Sequence, residues 1–273
     1  ACLSTIEAWI TGKTQLSSER LPVILTGVRS TYARRLISWK LRQLPMTPFI
    51  LYHSVSARSF RPLWTLEELE LPYQLRMMDF PPRVHAKEFL DTNPLGTVPA
   101  LETEHGLMTE SAAMCQYLAT KKPGTPLAVQ PDAPEFATFL NMLHYGEATL
   151  TFPQTLVLRY QHFESPERVQ PQIVEDYTRW FLARTRLLNK HLQDGPYVCG
   201  NQFTIADISV GFALMLAELL ELLDQTSTDV QEYWQRLTQR PAYQRALAAE
   251  QNAAQEQGVS ALPAPALRPY ATS

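Results

Sequence analysis

The pattern of the chain changes at Pro134, and this change limits what the chain can fold into more than any other feature. Before it, short apolar runs of strand character alternate with helical ones. After it, no strand pattern of any strength remains, and apolar residues recur at helical spacing as far as about Gln251. A chain arranged this way divides into a small mixed α/β part and a larger all-helical part. The first part reads strand, helix, strand, helix, strand, strand, helix. "PFILYHS" (residues 48–54) is the first strand. A helix follows from about Ser59 to Glu70, with Ser59 as N-cap, Pro62 in the first turn, and an apolar face of Leu63, Trp64, Leu66 and Leu69. "YQLRMMDF" is the second strand, and "PPRVHAKEFLDTNPLG" is a loop with a short helix around Ala86 to Asp91. Val98–Glu102 and Leu107–Thr109 form a hairpin turning at "EHG", and Ser111–Thr120 is a helix. In the second part, "PEFATFLNMLHYGEATLTFPQTLVLRYQHF" is a long helix that Pro153 bends or interrupts. Helices over Ile173–Leu192, Thr204–Leu223 and Val230 to about Gln251 follow, the last broken at "RPAY".

Two flanks stand apart from these parts. Residues 1–47 contain "YARRLISWKLRQLPM", a short basic amphipathic helix. Its readings are a membrane-surface or transit segment, a helix packed on the protein, or an extension upstream of a start at Met46. Residues 258–273, "GVSALPAPALRPYATS", form a proline-rich tail expected to lie over the surface. The expected units are therefore 1–47, 48–127, 133–257 and 258–273. Residues 1–48 carry seven Lys or Arg against two Asp or Glu, a net of +5, so a chain of net charge -3 leaves a body of -8. An acidic body is a poor nucleic-acid binder. The apolar run Ile208–Leu223 is interrupted by Glu218 and Glu221, so it reads as a buried globular helix and not as a transmembrane segment. Cys2, Cys115 and Cys199 are too dispersed for a disulfide scaffold or a CxxC pair, which points to a reducing, cytoplasmic setting.

Four segments in order resemble the glutathione transferase family over about residues 48–250. They are "TLEELELPYQL", "EFLDTNPLGTVPALE", "LMTESAAMCQYLA" and "GPYVCGNQFTIADISV". The resemblance implies an α/β thioredoxin-like N-terminal domain, an all-α C-terminal domain, glutathione as cosubstrate, a small and mainly hydrophobic electrophile as second substrate, and a homodimer. It also implies a detoxification role.

The residues bear a matching chemical reading. Glutathione's γ-glutamyl end carries an amine and a carboxylate on one carbon. Glu110 can accept from the amine, and Ser111 at a helix start can bind the carboxylate. The resemblance implies a cis Val98–Pro99 bond, with Val98 pairing its backbone to the cysteinyl unit. Thr97 stands where relatives often carry a basic or amide side chain, and Lys87 and His85 are the candidates for the glycyl carboxylate. The polar bend "YHSVSARS" lies between the first strand and the first helix, where a hydroxyl and helix-end N–H groups would lower a thiol pKa. The serine usually assigned to the thiol falls on Ala57. The candidate activators are, in order, Ser56, Arg58, Ser59 and Tyr52. His144, Tyr145 and Glu147 near the middle of the long helix are the candidates for shaping the electrophile pocket, with Phe152 and Leu156 lining it. "FTIAD" reads as a capping box, Thr204 with Asp207, and thus as a folding element.

Other function classes fit less well. There is no G-x-S-x-G, no H-E-x-x-H and no cysteine in the bend, so a nucleophilic hydrolase, a metal enzyme and a disulfide reductase are disfavoured. A glutathione-fold binding or scaffolding protein without turnover remains open, favoured by Ala57. So does a glutathione-dependent peroxidase, dehalogenase or isomerase.

Overall fold

A computed structural model describes residues 48–266, which belong to one compact unit. The basic segment 1–47 and residues 267–273 of the tail lie outside the described residues.

The sheet has four strands in the order β2-β1-β3-β4. β1 (Phe49–His53) pairs in parallel with β2 (Tyr73–Met77) and antiparallel with β3 (Ala100–Thr103), which turns into β4 (Gly106–Met108). Leu51 stands opposite Leu75 on one side and Leu101 on the other. Alternate residues of β1, namely Phe49, Leu51 and His53, are buried, as a period of two requires. β3 begins at Ala100 and not at Val98. Pro99 has no N–H to give to the ladder.

The helix α1 (Phe60–Leu69) connects β1 to β2 and buries Phe60, Leu63, Trp64, Leu66 and Leu69. Each such side chain contributes about 1.5–3 kcal/mol by leaving water. The Trp64 ring packs against Phe203 and Tyr243, which fastens α1 to the helical part. Between β2 and β3 the expected single helix is two separate turns, α2 (Pro82–His85) and α3 (Phe89–Thr92). Pro82 presets the first helical position, so the turn begins earlier than the apolar pattern suggests. The helix α4 (Ser111–Thr120) follows β4 with Glu110 at its N-cap position.

The long helix is continuous from α5 (Phe136–His144) through a π-helical segment, Tyr145–Thr151, into α6 (Phe152–Leu158). Pro153 does not break it. Pro153 has no N–H for the carbonyl one turn back, and the residues before it take the wider i→i+5 spacing. A Cβ at Gly146 would lie 2.5 Å from Ser209, so only glycine lets the π segment come this close to the central helix. The remaining helices are α7 (Pro171–Leu192), α8 (Ile205–Leu219), α9 (Thr228–Thr238) and α10 (Pro241–Gln257).

The central helix α8 is buried from Ile205 through Ala217. Its start is the expected capping box. Thr204 Oγ1 accepts from the Ala206 N–H at 3.2 Å, and Asp207 Oδ2 accepts from the Thr204 N–H at 2.8 Å. Asp207 also takes the Val198 N–H at 3.0 Å and the Tyr233 hydroxyl at 2.8 Å. Burial pushes its carboxyl up to about 6 although these donors pull the other way. Among the described residues no helix is long and apolar enough to cross a membrane.

Candidate active site

A cavity of about 320 Å³ opens beside the end of β1. Five parts of the chain supply its wall. The segment before β3 gives Thr97, Val98 and Pro99, and the start of α4 gives Thr109, Glu110 and Ser111. The bend gives Arg58, and the π segment of the long helix gives Glu147. Phe80, Pro82 and Arg83 complete it from the region of α2. The Val98–Pro99 peptide is cis.

Its charges are organised around one buried cation. Arg61, in the first turn of α1, is fully buried. Its Nη1 donates to Glu147 Oε2 and to Ser111 Oγ, the latter at 3.3 Å. Nη2 donates to Thr151 Oγ1 at 2.7 Å and to the Gly146 carbonyl at 3.3 Å, and Nε donates to the Ser209 carbonyl at 3.2 Å. The guanidinium also lies 4.3 Å from the centre of the Phe212 ring. Burial lowers its pKa, and Glu147 opposes that shift. Burial works to raise the Glu147 carboxyl, but Arg61 and Arg58 outweigh it and hold that carboxyl below its ordinary value. Arg58 Nε reaches Glu147 Oε1 at 2.5 Å. One carboxylate from the helical part thus orients both a buried arginine and an arginine on the cavity wall.

Of the residues singled out in the sequence, this cavity brings together Arg58, Thr97, Val98, Pro99, Glu110, Ser111 and Glu147. Glu110 is exposed, and its side chain has no protein partner among the described residues. The other candidates lie elsewhere. Ser56 is buried off the cavity with φ 57, and its N–H is directed to Glu250 Oε2 at 3.3 Å. Ser59 is buried and makes no cap bond. Its Oγ accepts from the Ser54 N–H at 3.3 Å and closes the bend on itself. Tyr52 donates to Glu102 Oε1 at 2.7 Å and faces a different hollow, of about 520 Å³, next to Arg76 and Phe89. Burial, with help from Glu102, raises its pKa. The first N–H groups of α1 are also occupied, Phe60 on the Ala57 carbonyl at 2.9 Å and Arg61 on the Arg58 carbonyl at 3.2 Å.

His85 and Lys87 are exposed and off the cavity, and Arg83 is the cation their segment contributes. His144 and Tyr145 line a groove against α7, where the Tyr145 hydroxyl donates to the Arg184 carbonyl at 2.6 Å. The helix turns that side away from the cavity and presents Glu147 to it. Phe152 is exposed and packs edge-on against Trp180, with ring centres 6.1 Å apart.

Arg61, Arg83 and the pairing of Glu147 with two arginines were not legible as site features. Two signals pointed to the first and last. Arg61 stands three residues before Trp64 on an apolar helix face, and Glu147 is the only acid between Phe136 and Leu158. Each is a charge in apolar surroundings that needs a partner. Cys115 and Cys199 are free and buried, and burial pushes their thiols up to about 11 and about 12. Among the described residues no three His, Cys, Asp or Glu side chains converge as a metal site would require.

Comparison with known proteins gives the class. Residues 51–126 match the family described as glutathione S-transferase, N-terminal domain. Glutathione S-transferase hmp2 of Hypomyces subiculosus is 30% identical over 168 residues, covering 58% of this chain and 77% of the relative. Glutathione S-transferase GstA of Escherichia coli O157:H7 is 28% identical, covering 73% of this chain and 98% of the relative. The crystal structure of a glutathione transferase from Methylococcus capsulatus superposes with a TM-score of 0.64 at 26% identity, covering 74% of this chain and 98% of that one. The chain belongs to the glutathione S-transferase family and has its fold.

Proposed function

We propose that this protein is a glutathione transferase, which binds glutathione in the cavity beside β1 and holds its thiol as thiolate for attack on a small, mainly hydrophobic electrophile. The observation that carries the reading is the meeting of Arg58, Val98, Glu110 and Ser111 on one cavity wall. The exposed Glu110 carboxylate accepts from the γ-glutamyl amine. Ser111 and the free N–H groups opening α4 take the neighbouring carboxylate. The Val98 backbone receives the cysteinyl unit as an added strand would, and Arg83 replaces His85 and Lys87 as the cation for the glycyl carboxylate.

Thiol activation falls to Arg58. Glu147 holds its Nε, and its remaining nitrogens take no other protein partner among the described residues. A nearby cation lowers a thiol pKa from its ordinary value of about 8.5. The sulfur electron pair then forms the new S–C bond, and the displaced group leaves with the pair of the bond that breaks. Phe80 and Pro82 give the electrophile an apolar wall in place of His144, Tyr145 and Phe152. Exposed Phe152, Trp180 and Leu187 leave apolar surface on α6 and α7 that a second copy covers in a homodimer. Two buried, unpaired thiols suit a reducing, cytoplasmic setting.

The test is a titration of the bound thiol, followed by thiolate absorbance against pH at saturating glutathione. The expected result is a bound-thiol pKa at least one unit below that of free glutathione, returning toward it in Arg58→Met. Ala57 is buried against Phe89 and Val98, and no bend hydroxyl lines the cavity. That observation favours a second reading, a glutathione-binding module without turnover. Under it, the bound thiol titrates as free glutathione does.

A further inference from the structure

The bend that carries Arg58 is gripped from behind by the last helix. Glu250 of α10 is buried, and its Oε2 accepts from His53 Nε2 at 2.9 Å and from the Ser56 N–H at 3.3 Å. His53 is wholly buried and its Nδ1 has no partner, so Glu250 is the one hydrogen-bonding anchor of the ring among the described residues. Ser56 is in the left-handed region at φ 57, a conformation that L residues disfavour and that a fixed acceptor for its N–H helps to hold. The same face of α10 continues the grip. Ala254 packs with Val55 and Met77. Gln257 accepts from the Met77 N–H at 2.9 Å and donates to the Leu75 carbonyl at 2.9 Å, on the free edge of β2.

Glu250 lines no part of the cavity. A buried carboxylate is costly unless it is paired, and a purely apolar contact would have joined α10 to the sheet without that cost. What the carboxylate adds is direction. It fixes one side chain and one backbone N–H at two points of the bend, and Arg58 follows two residues after the second.

We propose that Glu250 is a positioning residue for thiol activation, a carboxylate on the last helix that sets the conformation of residues 53–58 and through it the placement of Arg58 on the cavity wall. This rests on the reading that glutathione is activated from the Arg58 end of the bend.

The experiment compares wild type, Glu250→Ala and Glu250→Gln. Folding is followed by chemical denaturation and glutathione affinity by calorimetry. The bound-thiol titration, and kcat and KM with an activated chloronitrobenzene, complete the set. In Glu250→Ala the bound-thiol pKa is expected to rise toward that of free glutathione and kcat to fall about tenfold. Affinity should change less than about twofold, because Glu110, Ser111 and Val98 are untouched. Glu250→Gln keeps an oxygen acceptor and should recover part of both effects. It also carries the test alone if the alanine variant does not fold, and a titration in it that matches wild type would then overturn the proposal. A folded Glu250→Ala protein with wild-type titration and kcat overturns it as well, as does a parallel loss of affinity and kcat. A wild-type bound thiol that titrates as free glutathione overturns the activation reading and this proposal together. A shifted wild-type thiol with an unaffected Glu250→Ala overturns only the role of Glu250.

Discussion

Two polar corners meet at the end of β1, and they use their polar groups in opposite ways. The corner where Val98 and Pro99 meet Thr109–Ser111 offers three polar side chains, and Glu110 among them is exposed and without a protein partner among the described residues. The bend at His53–Ser59 is dense in them, yet His53, Ser54, Ser56 and Ser59 are all buried. His53 and the Ser56 backbone turn to Glu250, and Ser59 turns back to Ser54. Arg58 alone among the polar bend residues reaches the cavity wall. The difference separates two uses of polarity. A group already satisfied by the protein is structural, whereas a group left unpaired at a concave surface is free to take a ligand.

The largest expected effect comes from cutting the arginine that ties the corners together. Arg61 touches Ser111 on one side and Glu147, the partner of Arg58, on the other. Arg61→Met removes five donor bonds and leaves Glu147 with a single partner. Breaking a buried pair from one side costs about 3–5 kcal/mol. Urea denaturation should show a loss of that size, and a loss under about 1 kcal/mol would mean that the cluster is a surface feature in solution.

Glu110→Ala comes next, because it tests the corner by itself. A charged hydrogen bond to the γ-glutamyl amine contributes about 1.5–3 kcal/mol, which is roughly ten- to hundred-fold in affinity for glutathione. Stability should be unaffected, since the carboxylate has no protein partner to lose among the described residues. Unchanged calorimetric affinity in a folded variant would remove Glu110 from the site and, with it, the contrast between the two corners.

How much of this was legible in the sequence follows from the same distinction. Element order and the strand-to-helix switch at Pro134 were legible because periodicity is a local property. So was the Thr204–Asp207 box, whose partners are three residues apart. That Val98, Pro99, Glu110 and Ser111 share one wall was legible through the family resemblance, whose motifs keep them in two short segments joined by a hairpin. The bend was misread because its partners are remote. Glu250 lies 197 positions from His53, and nothing near the bend announces it. One clue was available. His53 falls on the same alternate face of β1 as Phe49 and Leu51, so it had to be buried and to need a partner. His144 and Tyr145 were misplaced for a related reason. Periodicity shows that a helix has faces, but which face meets the cavity is set by packing against α7 and α8, and the π segment shifts that phase further.

The smallest expected effect discriminates most finely between the two corners. Sequence order put Ser56 first as thiol activator, and the structure places it off the cavity with its N–H on Glu250. If its hydroxyl activated the thiol, Ser56→Gly would raise the bound-thiol pKa as strongly as Arg58→Met. If only its backbone matters, the result is different. The residue holds φ 57, which costs a non-glycine residue roughly 1–2 kcal/mol. Glycine adopts that conformation freely but loses more chain entropy on folding, by roughly 0.5–1 kcal/mol. The two nearly cancel, so Ser56→Gly should stabilise the protein slightly or leave it unchanged, and Ser56→Ala should do no better than wild type. The bound-thiol titration should stay within about 0.2 units of wild type in both variants, which is roughly 0.3 kcal/mol. A clear rise in Ser56→Gly would return the hydroxyl to the chemistry and make the bend, as proposed for the Val98–Ser111 corner, a part of the ligand site. A flat titration with preserved stability leaves the bend its structural role and Arg58 its single reach into the cavity.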